Sequence, residues 1–347
     1  MTAPPSGLGR RTVTGTPFET GLALGLAGRD AVHRAVVPSA LWQRVTAPAE
    51  APAIARMDQA TRALFPAVHD ELRGLAEGLD LPFQQVLAWN ARGDLLAGAG
   101  EGCTTVMAPG RTPVIAHNED GLPTLRGACF LAELQPAKHP RVMSFCYPGS
   151  IPGHSFAVTA AGLVITVNNL RLTGIAAEIP RMVLTRALLA APDRAAAVAL
   201  LRAAPPSGGF HLALGQAGEG DIWSVSFGGG DVVCVTRRMP AVHSNHALVE
   251  GAALSRQIVT ASSHDRLLRG RTLVAAGATP LDILRDTGGE GLPILRGAPD
   301  DPDDENTIAQ FQASIGATGI DWQVHMPGQP TPACRGVMPV SPGPDDA

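Results

Sequence analysis

The sequence predicts an α+β fold in which antiparallel sheets are covered by helices. Helical patterning fills the first hundred residues, and short apolar or alternating runs replace it from Cys103 onward. The links between those runs are too short for the crossovers that parallel strands need. Strand and helix blocks then alternate to the end of the chain, which is the pattern of layered α+β proteins. The 39 glycines and 30 prolines in 347 residues agree, because so much punctuation favours short elements over a helical bundle. Aromatics are only 4%, so Leu, Val, Ile and Ala must fill the core.

Thr16-Pro17-Phe18-Glu19 fits a capping box with proline at the first helical position, and apolar residues follow at three- and four-residue spacing. Residues 56–78 carry a second helical pattern, broken near Pro66. Residues 81–92 form a third, short helix, and GAGEG (98–102) ends the helical region. Strands are expected at 104–108, 113–118, 129–134, 141–147, 155–160 and 162–169, then helices at 180–190 and 193–204. Further strands follow at 211–216, 221–227 and 231–238, helices at 255–276 and 280–287, and closing strands at 308–316 and 319–327. The Pro- and Asp-rich tail is expected to fray.

Composition excludes several function classes. A net charge of −4 without a basic stripe gives no footprint for nucleic acid. No apolar run reaches the length of a membrane span, and the two N-terminal arginines precede no apolar segment of a signal peptide. Cys103, Cys129, Cys146, Cys234 and Cys334 are odd in number and scattered without a CxxC pair, so neither a zinc site nor a disulfide framework is indicated. The expected setting is a reducing cytoplasm, with no metal and no organic cofactor.

Cys103 stands apart. It lies in AGEGCTTVMAPG, between a glycine and two threonines, where a strand begins. Such a cysteine is ordinarily a small buried hydrophobe. It is also a possible cleavage point that makes Cys103 a new N-terminus. A four-residue loop from Pro109 to Thr112 would pair Ala108 with Pro113, set Cys103 opposite Asn118 and bring Asp120 just beyond it. A cysteine at a chain start carries its own base, since an α-amine titrates near about 7.7–8. Gly102 leaves its carbonyl open to attack by the thiol. Asp120 would orient the amine, and the Asn245 side chain, in AVHSNHAL, would donate to an oxyanion.

Thr104 and Thr105 are strand formers, one of whose hydroxyls could assist cleavage, and Asn118 is a supporting neighbour. Asn168 and Asn169 end a strand, either as turn residues or as substrate contacts. His243 and His246 lie three apart without a visible third ligand and read as structural, with His246 also a candidate substrate contact.

These residues carry a resemblance. The segments TGTPFETGLALG, ELRGLAEGLDLPFQQVLAWNAR, EGCTTVMA, AHNEDG, GLVITVNNL and HSNHAL make the chain similar to the acyl-coenzyme A:6-aminopenicillanate acyltransferase family of N-terminal-nucleophile (Ntn) hydrolases. The resemblance implies a four-layer αββα sandwich, self-cleavage between Gly102 and Cys103, the nucleophile at Cys103, and supporting roles for Asp120 and Asn245. One departure stands out. Similar members often carry an arginine just ahead of the last strand pair, where this chain has DDPDDENTIAQF, acidic and without arginine.

The expectation is therefore a self-processing cysteine enzyme that cleaves or transfers an acyl group on a small-molecule amide or thioester. Residues 1–102 would become an α chain and 103–347 a β chain, associated as a heterodimer within one structural domain. Two rivals are an amidohydrolase that uses only water as acceptor, and a non-catalytic binding protein that keeps the fold.

Overall fold

Alternating apolar runs and tight turns put the chain beyond Cys103 into two sheets. The computed structural model describes residues 8–98, 102–136, 139–301 and 304–341; the last residues of the tail and the centre of the GAGEG break lie outside them. The strands are β1 (Gly9–Gly15), β2 (Cys103–Ala108), β3 (Val114–Gly121), β4 (Phe130–Pro136), β5 (Val142–Cys146), β6 (Phe156–Thr159) and β7 (Leu163–Leu170). They continue as β8 (Gly209–Gln216), β9 (Ile222–Gly228), β10 (Asp231–Arg237), β11 (Ala241–His243), β12 (Asn306–Ile315), β13 (Gly319–His325) and β14 (Cys334–Pro339). One sheet has the order β1-β4-β5-β6-β7-β8-β9-β10, the other β11-β2-β3-β12-β13-β14. Every pairing is antiparallel except β1 with β4.

The helices are α1 (Pro17–Ala31), α2 (Ala40–Val45), α3 (Ala51–Leu64), α4 (Pro66–Leu79), α5 (Phe83–Asn90), α6 (Arg92–Leu95), α7 (Arg181–Leu188), α8 (Arg194–Ala203), α9 (Ala261–Ala275) and α10 (Pro280–Leu284). Helices α9 and α10 pack on β11, β2 and β3, while α8 packs on β8 and β10 and α1 on β1. Between these layers the sheets meet face to face. Phe156 of β6 stacks on Phe311 of β12 with centroids 4.4 Å apart, and β2 and β3 touch β7. The result is the expected αββα arrangement.

The N-terminal half follows its sequence signals closely. Thr16 caps α1 with Glu19 reaching back to the Thr16 backbone, and the helical pattern at 56–78 breaks between α3 and α4 at Pro66. The glycines of TGLALG and RGLAEG have a steric cause. A Cβ on Gly21 would lie 1.8 Å from the Glu71 carbonyl oxygen, and one on Gly74 would lie 1.9 Å from that of Phe18. Helices α1 and α4 therefore touch backbone to backbone, which only glycine allows. One hydrophobic core joins residues on both sides of Gly102, from Leu24, Leu72 and Trp89 to Leu131, Phe156 and Phe311.

Three expectations need correction. The first hundred residues are not all helical, because Gly9–Gly15 forms β1, parallel to β4. It is an edge strand with only Val13 buried, so its apolar signal is nearly absent. Strand β14 was likewise not expected; it is an edge strand in which only Met338 is buried. The helical pattern read from 255 becomes helix only at Ala261, where Thr260 supplies the cap; Gln257 instead bridges to Leu172. No described helix is long and apolar enough to cross a membrane.

Candidate active site

The β2–β3 register decides what surrounds the cysteine. Ala108 pairs with Val114, Thr104 with Asn118 and Cys103 with Glu119. The loop thus has five residues, 109–113, and Cys103 is not opposite Asn118 as a four-residue loop would place it. Pro113 has no N–H for the ladder, and its carbonyl accepts from Ile315 N–H instead. A slip of one residue exchanges the faces of the strand. It puts Glu119 beside the sulfur and turns Asn118 away, where its Nδ2 donates to the Leu284 carbonyl at 2.8 Å.

The hairpin therefore has two polar faces. On the inner face, between the sheets, Cys103 Sγ lies 3.9 Å from Glu119 Oε2. The same oxygen accepts from Ser155 Oγ at 2.5 Å and lies 3.0 Å from His117 Nε2, while Tyr147 donates to Oε1 at 2.8 Å. His117 Nδ1 meets Thr105 Oγ1 at 2.8 Å, and Thr105 donates to Asn168 Oδ1 at 2.7 Å. Burial pushes His117 down to about 3, so the imidazole is neutral at ordinary pH.

The outer face is ionic. Asp120 Oδ1 accepts from Thr307 Oγ1 at 2.7 Å; burial raises its carboxyl pKa, opposed by the Arg266 and Arg296 guanidinium groups. Arg266, from α9, is 1% exposed and donates to the Cys103 carbonyl at 2.5 Å, to Thr104 Oγ1 at 2.8 Å and to Asn245 Oδ1 at 2.6 Å. Arg296 pairs with Glu305 at 2.5 Å and with Asp301, and Arg171 holds the other Glu305 oxygen at 3.2 Å. Burial raises Glu305 to about 8 against the pull of these two arginines. The acidic segment ahead of β12 is thus matched by an arginine after all. It sits at 296, upstream of the DDPDDEN run.

The peptide between Gly102 and Cys103 is gripped at both ends. Asp120 N–H donates to the Gly102 carbonyl at 2.9 Å, and Cys103 N–H donates to Asn245 Oδ1 at 2.9 Å. A Cβ on Gly102 would lie 2.4 Å from Glu305 Oε2 and 2.9 Å from an Arg296 nitrogen, so a side chain here would push on the ends of that pair. Asn245 is itself held: its N–H donates to Ser263 Oγ at 2.9 Å and its Nδ2 to the Asn169 carbonyl at 3.2 Å.

The remaining candidates fall around this centre. Asn168 belongs to the inner chain through Thr105. The Asn169 side-chain amide is 3% exposed, with no hydrogen bond among the described residues. His246 Nδ1 bonds Ser263 Oγ at 2.7 Å, and His243 stacks on His211. A cavity of about 820 Å³ between α1, α4 and β4–β5 shares no residue with this centre.

Sequence reading returned Glu119 to the cysteine with the hairpin but gave it no role, and it missed His117, Tyr147, Ser155, Arg266, Arg296 and Glu305. Only Glu119 and His117 had a signal, since HNED alternates residues between the two faces of β3. Cys103, His117 and Glu119 each place a donor atom within 4.8 Å of the others. A sulfur, a neutral imidazole nitrogen and a carboxylate oxygen form a set that zinc accepts.

The two-sheet sandwich between helices and the match to an acyltransferase family make the chain an Ntn-type enzyme acting on C–N bonds. The chain belongs to the acyl-coenzyme A:6-aminopenicillanic acid acyl-transferase family, whose model matches residues 106–329, more than half its length. Among solved structures, the chain is similar to a Caenorhabditis elegans N-acylethanolamine-hydrolyzing acid amidase ortholog, at 11% identity and a TM-score of 0.42, covering 67% of this chain and 95% of that one. None of the curated protein sequences matches it.

Proposed function

We propose that the chain cuts itself between Gly102 and Cys103, and that the freed Cys103 then carries an acyl group taken from a small-molecule amide or thioester. The observation that carries this reading is the grip on that one peptide: Asp120 N–H on its carbonyl, Asn245 Oδ1 on its N–H, and the cysteine sulfur of the same residue on the inner face. Membership of an acyltransferase family supports the chemistry.

Cleavage leaves the Cys103 nitrogen as an α-amine, next to Asn245. This amine takes the thiol proton of the mature enzyme, directly or through water, and the thiolate attacks the substrate carbonyl. Asn245 and nearby backbone N–H groups hold the oxyanion. In the uncut chain Asn245 Nδ2 donates one hydrogen to the Asn169 carbonyl at 3.2 Å, which fixes the amide group that carries the second. The leaving amine or thiol departs, and water or a second amine accepts the acyl group. The 1–102 and 103–347 pieces stay associated because they share the core.

Cys103 is 3% exposed, so substrate reaches it only after the surroundings of the sulfur rearrange. Intact-mass analysis of purified protein, followed by a profile of acids and amines released from metabolite mixtures, tests the reading. A chain that stays whole on long incubation would refute it. Released acid alone marks a hydrolase, and acid recovered on an added amine marks a transferase.

A further inference from the structure

The α-amine cannot assist the cut that creates it. Before cleavage the Cys103 nitrogen is an amide without a basic lone pair, yet the sulfur must lose its proton to attack the Gly102 carbonyl. We propose that Glu119 is the base for this step, so that the chain carries one base for its own cleavage and a second, the α-amine, for turnover. The inference rests on the self-cleavage reading above.

The geometry separates Glu119 from its neighbour Asp120. Glu119 shares the face of Cys103, with Oε2 3.9 Å from Sγ. Both its oxygens accept hydrogen bonds, Oε1 from Tyr147 and Oε2 from Ser155, and His117 Nε2 lies 3.0 Å from Oε2. Four side chains converge on this 1%-exposed carboxylate, from β2, from β3 itself and from the loop between β5 and β6. Asp120 lies on the opposite face, with one oxygen held by Thr307 and its N–H on the scissile carbonyl. Its backbone therefore polarises the bond that Glu119 helps to break. His117 acts through Glu119 and is a positioning residue. Thr105 gives its hydroxyl proton to Asn168, so His117 Nδ1–H donates to Thr105 and the bare Nε2 faces Glu119 Oε2, where it accepts a hydrogen bond from the carboxyl once Glu119 has taken the thiol proton.

The step balances. The Sγ proton passes to Glu119 Oε2, and the sulfur electron pair forms a bond to the Gly102 carbonyl carbon. The carbonyl electrons move to oxygen, which Asp120 N–H stabilises. When the C=O re-forms, the C–N bond to Cys103 breaks, and its nitrogen takes the proton that Glu119 holds. Water then opens the thioester, leaving a carboxyl group at Gly102, a thiol at Cys103 and a carboxylate at Glu119.

The test follows the appearance of the 103–347 piece by intact mass, in freshly refolded full-length wild type, Glu119→Gln, Glu119→Asp, His117→Gln and Cys103→Ala. Circular dichroism of each at the same time shows that it is folded. Glu119→Gln should slow cleavage about a hundredfold or more, the ordinary loss for a general base. Glu119→Asp, with its shorter carboxylate, should recover part of that rate, and His117→Gln should lose less than Glu119→Gln. Iodoacetamide alkylation of Cys103 in matured protein reads the second base, and the Gln variant should lose at least tenfold less there than in cleavage.

Wild-type cleavage by folded Glu119→Gln, an Asp variant no faster than Gln, or equal losses in both assays would overturn the proposal and leave self-cleavage standing. An uncut wild type, or a cut Cys103→Ala, would instead overturn the self-cleavage reading itself.

Discussion

The two faces of the β2–β3 hairpin do opposite electrostatic jobs within one strand. The inner face is a hydrogen-bonded chain through Ser155, Glu119, His117, Thr105 and Asn168, in which the histidine is neutral. The outer face is a lattice of buried ions in which Arg266 and Arg296 face Asp120 and Glu305. The inner face meets the sulfur, and the outer face holds the peptide that we propose it attacks. Paired ions fix a backbone in place, because displacing either partner leaves the other uncompensated.

The sharpest way to break this division is at the sulfur. Cys103→Ala should leave both grips on the peptide but stop cleavage and acyl transfer altogether, as intact mass and turnover of the same sample would show. A cut alanine variant would make the inner face irrelevant. Next in size is Asn245→Ala in protein that has already matured. Loss of one oxyanion donor costs about 2.7–4 kcal/mol and should appear in kcat rather than KM. A change confined to KM would reassign Asn245 to substrate binding.

On the outer face, Asp120→Asn should slow cleavage and turnover roughly tenfold to a hundredfold, the loss of about 1.5–3 kcal/mol for one charge-assisted hydrogen bond. Its backbone N–H still reaches Gly102, so the effect should be smaller than that of Glu119→Gln on cleavage. Time courses of the two variants, run side by side, check that order.

The smallest effect is in stability against pH, where the two faces carry opposite signs. His117 binds a proton in the unfolded chain below its ordinary 6.5 but in the folded protein only near 3. Between those values the unfolded state holds more protons, so this contribution falls as pH falls, by about 1.4 kcal/mol between pH 7.5 and 5.5. His243, also pushed to about 3 by burial, adds in the same direction. Asp120 is raised, so above 3.8 the folded state keeps a proton that the unfolded state has released, and its contribution falls as pH rises. Urea midpoints across pH 4–8 should therefore change slope in opposite directions in His117→Gln and Asp120→Asn.

How much of this was legible follows from where each signal resides. The capping box at Thr16, the break at Pro66 and the strand runs after Cys103 are local patterns, and they appear where the sequence placed them. Cys103, Asp120 and Asn245 do converge on one peptide. The hairpin register was not legible, since one residue of loop length decides it and Pro113 fits a loop end or a strand start equally well. That residue separates Asn118 from Glu119 as the partner of Cys103. Arg266 and Arg296 were invisible for another reason. Each reaches the site from more than 160 residues away in sequence, and an arginine in a helix or loop carries no mark of the carboxylate it will meet.

The parallel pairing of β1 with β4 has a consequence for the history of each molecule. The N-terminal piece contributes the edge strand of the eight-stranded sheet and the helices packed near it. As one chain, these parts find each other at the high local concentration that a covalent link provides. Once the link at Gly102 is gone, the same assembly must re-form from two separate polypeptides, at a rate that depends on dilution. A heated and cooled precursor should thus recover as a unimolecular reaction, and a heated and cooled mature enzyme as a second-order one. The proposed cut would make folding a one-time event, and the enzyme would then persist by the slowness of its unfolding.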